Sequence, residues 1–320
     1  MRELQSKFAA QIWDFIAYRR SFGYKEASYQ RLLEFDKFCC SSYPNESAIT
    51  KELVWGWVKR KPCETHSGQY SRVCVIRLFA KYLNATGIDA YVMPEGLITD
   101  RRNFTPYLFT DSELISIFKA SDFALAESRH AFVSPSISLI FRLIYTCGLR
   151  PNEARLLPYT NINLQTGEIL IQRTKRNRER VVVMSEEILE VCRKYSSSQK
   201  QHGRYFLPNA FGTPFTTLQL RNIFNWCWKK ANPGIAPVNM PRARSYDLRH
   251  RFASTILLKW LNEGVDLRTM MPYLQIYMGH ENLEATAYYV HLLPENLLKN
   301  TGIEWDAFSE MIPEVNTWQK

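Results

Sequence analysis

Any fold for this 320-residue chain must reconcile three polar segments that lie far apart in sequence yet carry complementary chemistry. Cys147-Gly-Leu-Arg-Pro-Asn-Glu153 supplies one arginine, Arg150. Ser245-Tyr-Asp-Leu-Arg-His-Arg-Phe-Ala253 supplies a second, Arg249, with His250 beside it. Tyr277-Met-Gly-His-Glu-Asn-Leu-Glu-Ala-Thr-Ala-Tyr-Tyr-Val-His291 supplies His280 directly after a glycine, and Tyr289 further on. Two arginines, a histidine and a tyrosine in this order suit a tyrosine that attacks a phosphodiester. Such a diester repels an incoming phenolate, and its five-coordinate transition state gathers still more negative charge. Arginine is permanently cationic and presents a planar fork of donors that matches two phosphate oxygens, which assigns the clamp to Arg150 and Arg249. Preorganised donors of this kind contribute about 3 kcal/mol each. A tyrosine of pKa about 10 is a weak nucleophile until cations and donors favour its phenolate.

These segments resemble the motifs of the tyrosine recombinase (phage-integrase) family, which read G-L-R-x-x-E, then H-x-L-R-H, then L-G-H, then a late Y-x-H. The resemblance implies that Tyr289, set by its register from His280, is the nucleophile. Neighbouring Tyr288 would point about 100° away on a helix and serve packing or DNA contact. Glu153 would hold the Arg150 guanidinium, and His291 would pack beside the nucleophile. Taken singly, Arg150 also reads as a cap of the preceding helix, and His280 as a residue at the start of a helix opening at Glu281. Glu168 to Met184 reads as a hairpin: Ile169 and Ile171 alternate with polar residues, and Val181 to Val183 form a second β-branched run. The turn between them, Lys175-Arg-Asn-Arg-Glu-Arg180, resembles the family's K-G-N-K-E-R. That likeness implies Lys175 as the general acid for the leaving 5′ oxygen.

One position departs from the pattern. Tyr246 stands where the family usually has histidine. A phenol donates one hydrogen bond to a phosphate oxygen but is a poor proton shuttle near neutrality. Two readings stay open, a tolerated substitution and a damaged site. His250 matches the family's second histidine, for which a packed, hydrogen-bonded, structural role is expected.

The function implied is site-specific recombination for integration, excision or resolution. The chain would cleave and rejoin DNA through a covalent 3′-phosphotyrosine, which conserves the bond energy without metal, cofactor or ATP. Two other classes remain: a DNA-binding relative that has lost cleavage, and a type IB topoisomerase-like nicking and closing enzyme. The implied partners are double-stranded DNA with inverted-repeat core sites and three further copies of the chain. Trp305, Phe308, Met311 and Ile312 recur at helical spacing after the nucleophile. Such a terminal helix either passes to a neighbouring protomer or docks on its own domain.

Composition agrees with a nucleic-acid partner: 41 Lys and Arg against 31 Asp and Glu give a net charge of +10. A basic excess gains affinity by displacing counterions from phosphates. Phosphate contacts are expected at Lys59, Arg60 and Lys61, at Arg101-Arg102, at Arg173, Arg176, Arg178 and Arg180, and at Arg242 and Arg244. No run of eighteen apolar residues spans a bilayer, and the N-terminus lacks the apolar core of a signal peptide. Seven cysteines without a C-x-x-C pair point to reduced thiols rather than disulfides or zinc. The expected setting is therefore bacterial cytoplasm, associated with the nucleoid. No glycine-rich phosphate loop is present.

The length suits two domains. Residues 1–100 read as a helical core-binding, SAM-like domain. Its helix faces are Phe8, Ile12, Phe15 and Ile16, then Tyr29, Leu32, Leu33, Phe35 and Phe38, then a helix capped by Thr50, then one from about Ser67 to Thr86. A linker with Pro106 covers 101–109. A catalytic domain follows over 110–320, opening on the capping box Thr110-Asp-Ser-Glu113. The expected fold class is mostly α with a small β-hairpin (α+β), arranged as a C-shaped DNA clamp.

Overall fold

The computed structural model describes residues 4–24, 29–98, 105–172, 179–199 and 203–290. The chain divides into two compact units after residue 104.

The first unit is built of α1 (Ala9–Ser21), α2 (Gln30–Ser42), α3 (Lys51–Val58) and α4 (His66–Ala85). Phe8, Ile12, Phe15 and Ile16 all turn inward, as their spacing requires, whereas Leu33 and Phe38 are only half-buried. Thr50 and Thr65 cap α3 and α4, each accepting a backbone N–H, from Leu53 and Gly68. Phe35 meets Trp57 edge-on at 5.3 Å in the core. Of the charged groups buried in this unit, Arg72 is fully buried, stacks over the Trp57 ring at 4.9 Å and pairs with Glu64 at 2.6 Å. It also donates to the Lys59 carbonyl, so the exposed turn carrying Lys59, Arg60 and Lys61 is pinned from beneath.

The second unit begins with α5 (Asp111–Asp122), whose capping box forms as read: Thr110 accepts from the Glu113 N–H and Glu113 accepts from the Thr110 N–H. After the short α6 (Ala124–Glu127) comes α7 (Ser136–Thr146), which buries Ile137, Leu139, Ile140, Phe141, Leu143 and Ile144 and keeps Ser138 and Arg142 on its half-exposed face. Helices α8 (Pro151–Arg155), α9 (Glu186–Ser198), α10 (Thr217–Ala231), α11 (Ser245–Asn262), α12 (Leu267–Met278) and α13 (Glu284–Ala287) follow. α7 packs against α5 and α11, and α10 covers α5.

Between α8 and α9 lies an antiparallel pair, β1 (Glu168–Ile171) and β2 (Arg180–Val183), in the register Glu168–Val183 to Ile171–Arg180. Ile169, Ile171 and Val182 face the core while Val181 and Val183 face out. The unit is thus mostly helical with one small sheet among the described residues. A separate apolar cluster joins Ala253, Leu257 and Leu261 of α11 to Met271, Leu274 and Met278 of α12, and Tyr289 and Val290 pack on it. Among the described residues no helix is long and apolar enough to cross a membrane.

Candidate active site

The three motif segments meet at the C-terminal end of α12. α7 stops at Gly148, whose φ of +59° turns the chain so that Leu149 buries and Arg150 becomes the N-cap of α8. Glu153 accepts from the Arg150 backbone N–H at 2.8 Å and from its guanidinium at 2.7 Å. In the first turns of α11, Tyr246, Arg249 and His250 stand three and four residues apart and share a face. α12 ends at Gly279 in the left-handed conformation, with the His280 N–H reaching back to the Gln275 carbonyl. This helix-ending motif, rather than a following helix, fixes His280. The next helix opens at Glu284, not Glu281.

A helix leaves its last carbonyls without partners and its C-terminus with partial negative charge. Here three successive carbonyls are each taken by a different arginine. Arg180 Nε donates to Tyr277 O at 2.8 Å, Arg249 to Met278 O, and Arg150 to Gly279 O. The same three guanidiniums surround one carboxylate. Glu153 lies 2.7 Å from Arg150, 2.7 Å from Arg180 and 3.9 Å from Arg249. Burial alone would raise the Glu153 pKa, but the Arg180 hydrogen bonds and charge, with those of Arg150, hold it at about 2. Three cations against one anion leave a surplus of two positive charges in a largely buried site.

Arg180 requires a correction. Sequence reading put it among groove-facing phosphate contacts, yet it is buried and ion-paired with Glu153 beneath the site. The cause is strand alternation: Arg180 shares the inward face of β2 with Val182, two residues on. Arg249 is fully buried and also donates to Gly148 O, while its Nε has no acceptor among the described residues. Arg150 is more open than Arg249, its side chain 28% exposed.

Tyr289 is buried against these groups, with its ring stacked parallel to His280 at 5.7 Å. Burial pushes its phenol up to about 12, against the opposing pull of Arg249. Its hydroxyl lies 3.2 Å from His250 Nδ1. His280 Nδ1 is 2.8 Å from the hydroxyl of Thr286, a fully buried residue that the sequence did not single out. Burial, then Arg249, Arg150 and Arg180, lowers the His280 pKa to about 3. Burial, then Arg244 and Arg249, does the same for His250. Both imidazoles are therefore neutral near neutral pH. Tyr246 stands within hydrogen-bonding reach of Arg150 and packs on the His250 ring at 5.0 Å.

Tyr288 is only half-buried, on the side of Arg244 and Asp247. Arg242 and Arg244 are exposed at the entry to α11, Arg244 pairing with buried Asp247 at 2.9 Å. Arg101-Arg102, Arg173, Lys175, Arg176, Arg178, His291 and the helix proposed around Trp305 and Phe308 lie outside the described residues. Among the described residues no group of His, Cys, Asp and Glu could hold a metal ion.

The cluster is suited to holding an anion against a protonated phenol, and known proteins share its framework. Residues 110–296 match the model of the phage integrase family. The putative integrase/recombinase y4rB of Sinorhizobium fredii (strain NBRC 101917 / NGR234) is 25% identical over 91% of this chain and 94% of its own length. Tyrosine recombinase XerD of Rhizobium meliloti (strain 1021) is 26% identical over 72% of each chain. In fold, the Tn1549 transposon integrase in complex with transposon right end DNA superimposes with a TM-score of 0.65 at 13% identity, over 87% of this chain and 93% of that one. The chain belongs to the phage integrase family, the tyrosine-type site-specific DNA recombinases.

Proposed function

We propose that this chain cuts and rejoins DNA at inverted-repeat core sites through a 3′-phosphotyrosine formed on Tyr289. The observation that carries this reading is the burial of that phenol beside three guanidiniums that share a single carboxylate. Arg150 and Arg249 hold the non-bridging oxygens of the scissile phosphate, and a phosphate oxygen supplies the acceptor that Arg249 Nε lacks. A buried donor without an acceptor costs about 1–3 kcal/mol, so the free protein favours arrival of an anion there. Tyr246 donates its hydroxyl to the same phosphate. His280, oriented by Thr286, stands over the nucleophile and donates to the phosphate through its other ring nitrogen.

Tyr289 Oη attacks phosphorus as the P–O5′ bond breaks, and Lys175 protonates the departing 5′ oxygen. The phosphotyrosine conserves the energy of the broken bond, so rejoining draws on no nucleotide. In this reading residues 1–100 form the core-binding domain, 101–109 the linker and 110–320 the catalytic domain. Lys59, Arg60, Lys61, Arg242 and Arg244, all exposed, contact the DNA backbone, as do Arg173, Arg176 and Arg178. Four protomers assemble on two sites through the segment bearing Trp305 and Phe308. An unchanged tetramer in light scattering after Trp305→Ser and Phe308→Ser would remove that last element.

The direct test is a suicide substrate, a core site nicked so that the cleaved strand cannot religate. A covalent protein–DNA adduct with the parent chain and none with Tyr289→Phe is the expected result. Recombinant products from two sites then distinguish strand exchange from nicking and closing. An adduct that persists in Tyr289→Phe removes Tyr289 as the nucleophile.

A further inference from the structure

From the geometry around the phenol we infer that His250, and not the residue at position 246, accepts the proton of Tyr289 during attack. The inference rests on the reading of Tyr289 as nucleophile. Tyr246 cannot accept a proton near neutrality, because a neutral phenol is a very weak base. Its oxygen also lies within reach of the Arg150 guanidinium, which donates to it. His280 uses Nδ1 on Thr286 and lies face to face with the Tyr289 ring. His250 alone among these side chains addresses the reacting atom edge-on. Its Nδ1 is 3.2 Å from Tyr289 Oη, with the ring centroids 5.4 Å apart.

The rest of its environment suits a transient proton acceptor. The other ring nitrogen, Nε2, faces Asp247 Oδ1 at 3.9 Å, and Asp247 is fully buried. With the tautomeric proton on Nε2 toward that carboxylate, Nδ1 is left as the acceptor. Asp247 Oδ1 accepts from Arg244 at 2.9 Å and offers His250 its charge at 3.9 Å rather than a hydrogen bond. The charged and titratable groups around His250 are Arg244, Tyr246, Asp247 and Arg249 from α11 and its cap, and His280 and Tyr289 from the last segment. Burial, then Arg244 and Arg249, keep the ring neutral at rest with its lone pair available but also lower its basicity, which the negative charge of a bound phosphate counteracts. Asp247 favours the imidazolium once it forms.

The proton balance is simple. The Oη–H proton passes to His250 Nδ1 as the Oη–P bond forms. The P–O5′ electron pair leaves with the 5′ oxygen, which takes its proton from the Lys175 ammonium. Rejoining reverses both transfers, and His250 returns its proton to Tyr289. A positioned base of this kind contributes about 10²–10⁴-fold.

The test is single-turnover cleavage of the suicide substrate by His250→Gln in the full chain, between about pH 6.5 and pH 9.5. Glutamine keeps an acceptor for the phenol hydrogen but cannot take the proton. The expected result is normal binding of site DNA in a gel shift and cleavage about 100-fold slower at about pH 7. The deficit should narrow as pH rises and solvent removes the phenol proton. Tyr246→His in the same background, which offers an imidazole one helical turn away, should restore at least about tenfold of the loss.

Cleavage by His250→Gln within about threefold of the parent at about pH 7 overturns the inference, as does a deficit equal at every pH. Failure of both His250→Gln and His250→Asn to fold or to bind the site would assign the ring to packing and overturn it equally. Tyr289→Phe, run alongside, separates the two levels. An adduct in that variant sinks the nucleophile itself, whereas a dead Tyr289→Phe beside a fully active His250→Gln sinks only the role of His250.

Discussion

Removal of the Glu153 charge, with its shape kept, is the most direct probe of the arginine cluster. Glu153→Gln leaves Arg150, Arg180 and Arg249 around a neutral amide, although their hydrogen bonds to the α12 carbonyls persist. The displacement of the Glu153 pKa from 4.5 to about 2 gives the scale. By linkage it corresponds to about 3 kcal/mol in favour of the folded state. Breaking a buried ion pair by removing one partner costs a similar 3–5 kcal/mol or so. For a unit of this size the melting temperature should fall by roughly 6–12 °C at neutral pH.

The pH dependence separates charge from packing. A carboxylate whose folded pKa is depressed contributes its full stabilisation above its ordinary value, and loses it as pH falls toward the folded value. The advantage of the parent over Glu153→Gln should therefore be complete above about pH 5.5 and shrink to about 2 kcal/mol near pH 3.5. Calorimetry at several pH values, following the transition of the second unit, reads this directly. Equal stability at neutral pH would refute the ion-pair network, and a difference constant with pH would show that packing, not charge, was lost.

Two further substitutions probe how the site is held. Thr286→Val keeps shape and burial but deletes the hydroxyl beside His280 Nδ1; DNA binding should be unchanged, with cleavage of the suicide substrate about fivefold to tenfold slower, the scale of one hydrogen bond. Gly148→Ala puts a Cβ 2.6 Å from the Phe252 ring at a φ of +59°, and should cost about 3 kcal/mol in urea unfolding from left-handed strain and overpacking together.

Much of the fold could be read locally, because its rules act over a few residues. The inward face of α1, the Thr50 cap and the Thr110–Glu113 box follow from spacing and side-chain chemistry that the neighbours do not override. The order of Arg150, Arg249, His280 and Tyr289 was also legible, and the structure brings these side chains together. Arg180 was legible in principle, since Val182 faces the core and period-two alternation carries Arg180 inward with it. The basic turn beside it masked the signal, and its partner Glu153 belongs to another element. Thr286 gave no local sign at all. Its role depends on the chain turning back after Gly279 so that a hydroxyl six residues on meets the His280 ring. The contact of His250 with Tyr289 is likewise tertiary, joining α11 to the segment after α13.

The Tyr289 phenol shows why the proposed attack would need both cations and a base. Burial raises the Tyr289 phenol from 10.0 to about 12, and the nearby Arg249 offsets only part of this. A bound phosphate would oppose ionisation further by adding negative charge beside the oxygen, so proximity to arginine does not by itself yield a phenolate. The resting protein therefore holds a neutral phenol, and the raised value has a consequence for stability with a definite sign. An acid whose folded pKa exceeds its ordinary one causes no loss below about pH 10, and destabilises the fold progressively as pH climbs toward about 12. At about pH 11 the loss specific to Tyr289 should be about 1 kcal/mol. Tyr289→Phe cannot ionise and escapes it, while giving up the hydroxyl contact with His250 at every pH. The variant should thus be less stable than the parent by about 1 kcal/mol at about pH 8, and draw level near pH 11. Urea unfolding at the two pH values measures the gap. A gap of the same size at both would mean that the phenol titrates alike in the folded and unfolded chain. The cluster would then exert no hold on its protonation, and the need for a dedicated proton acceptor would disappear with it.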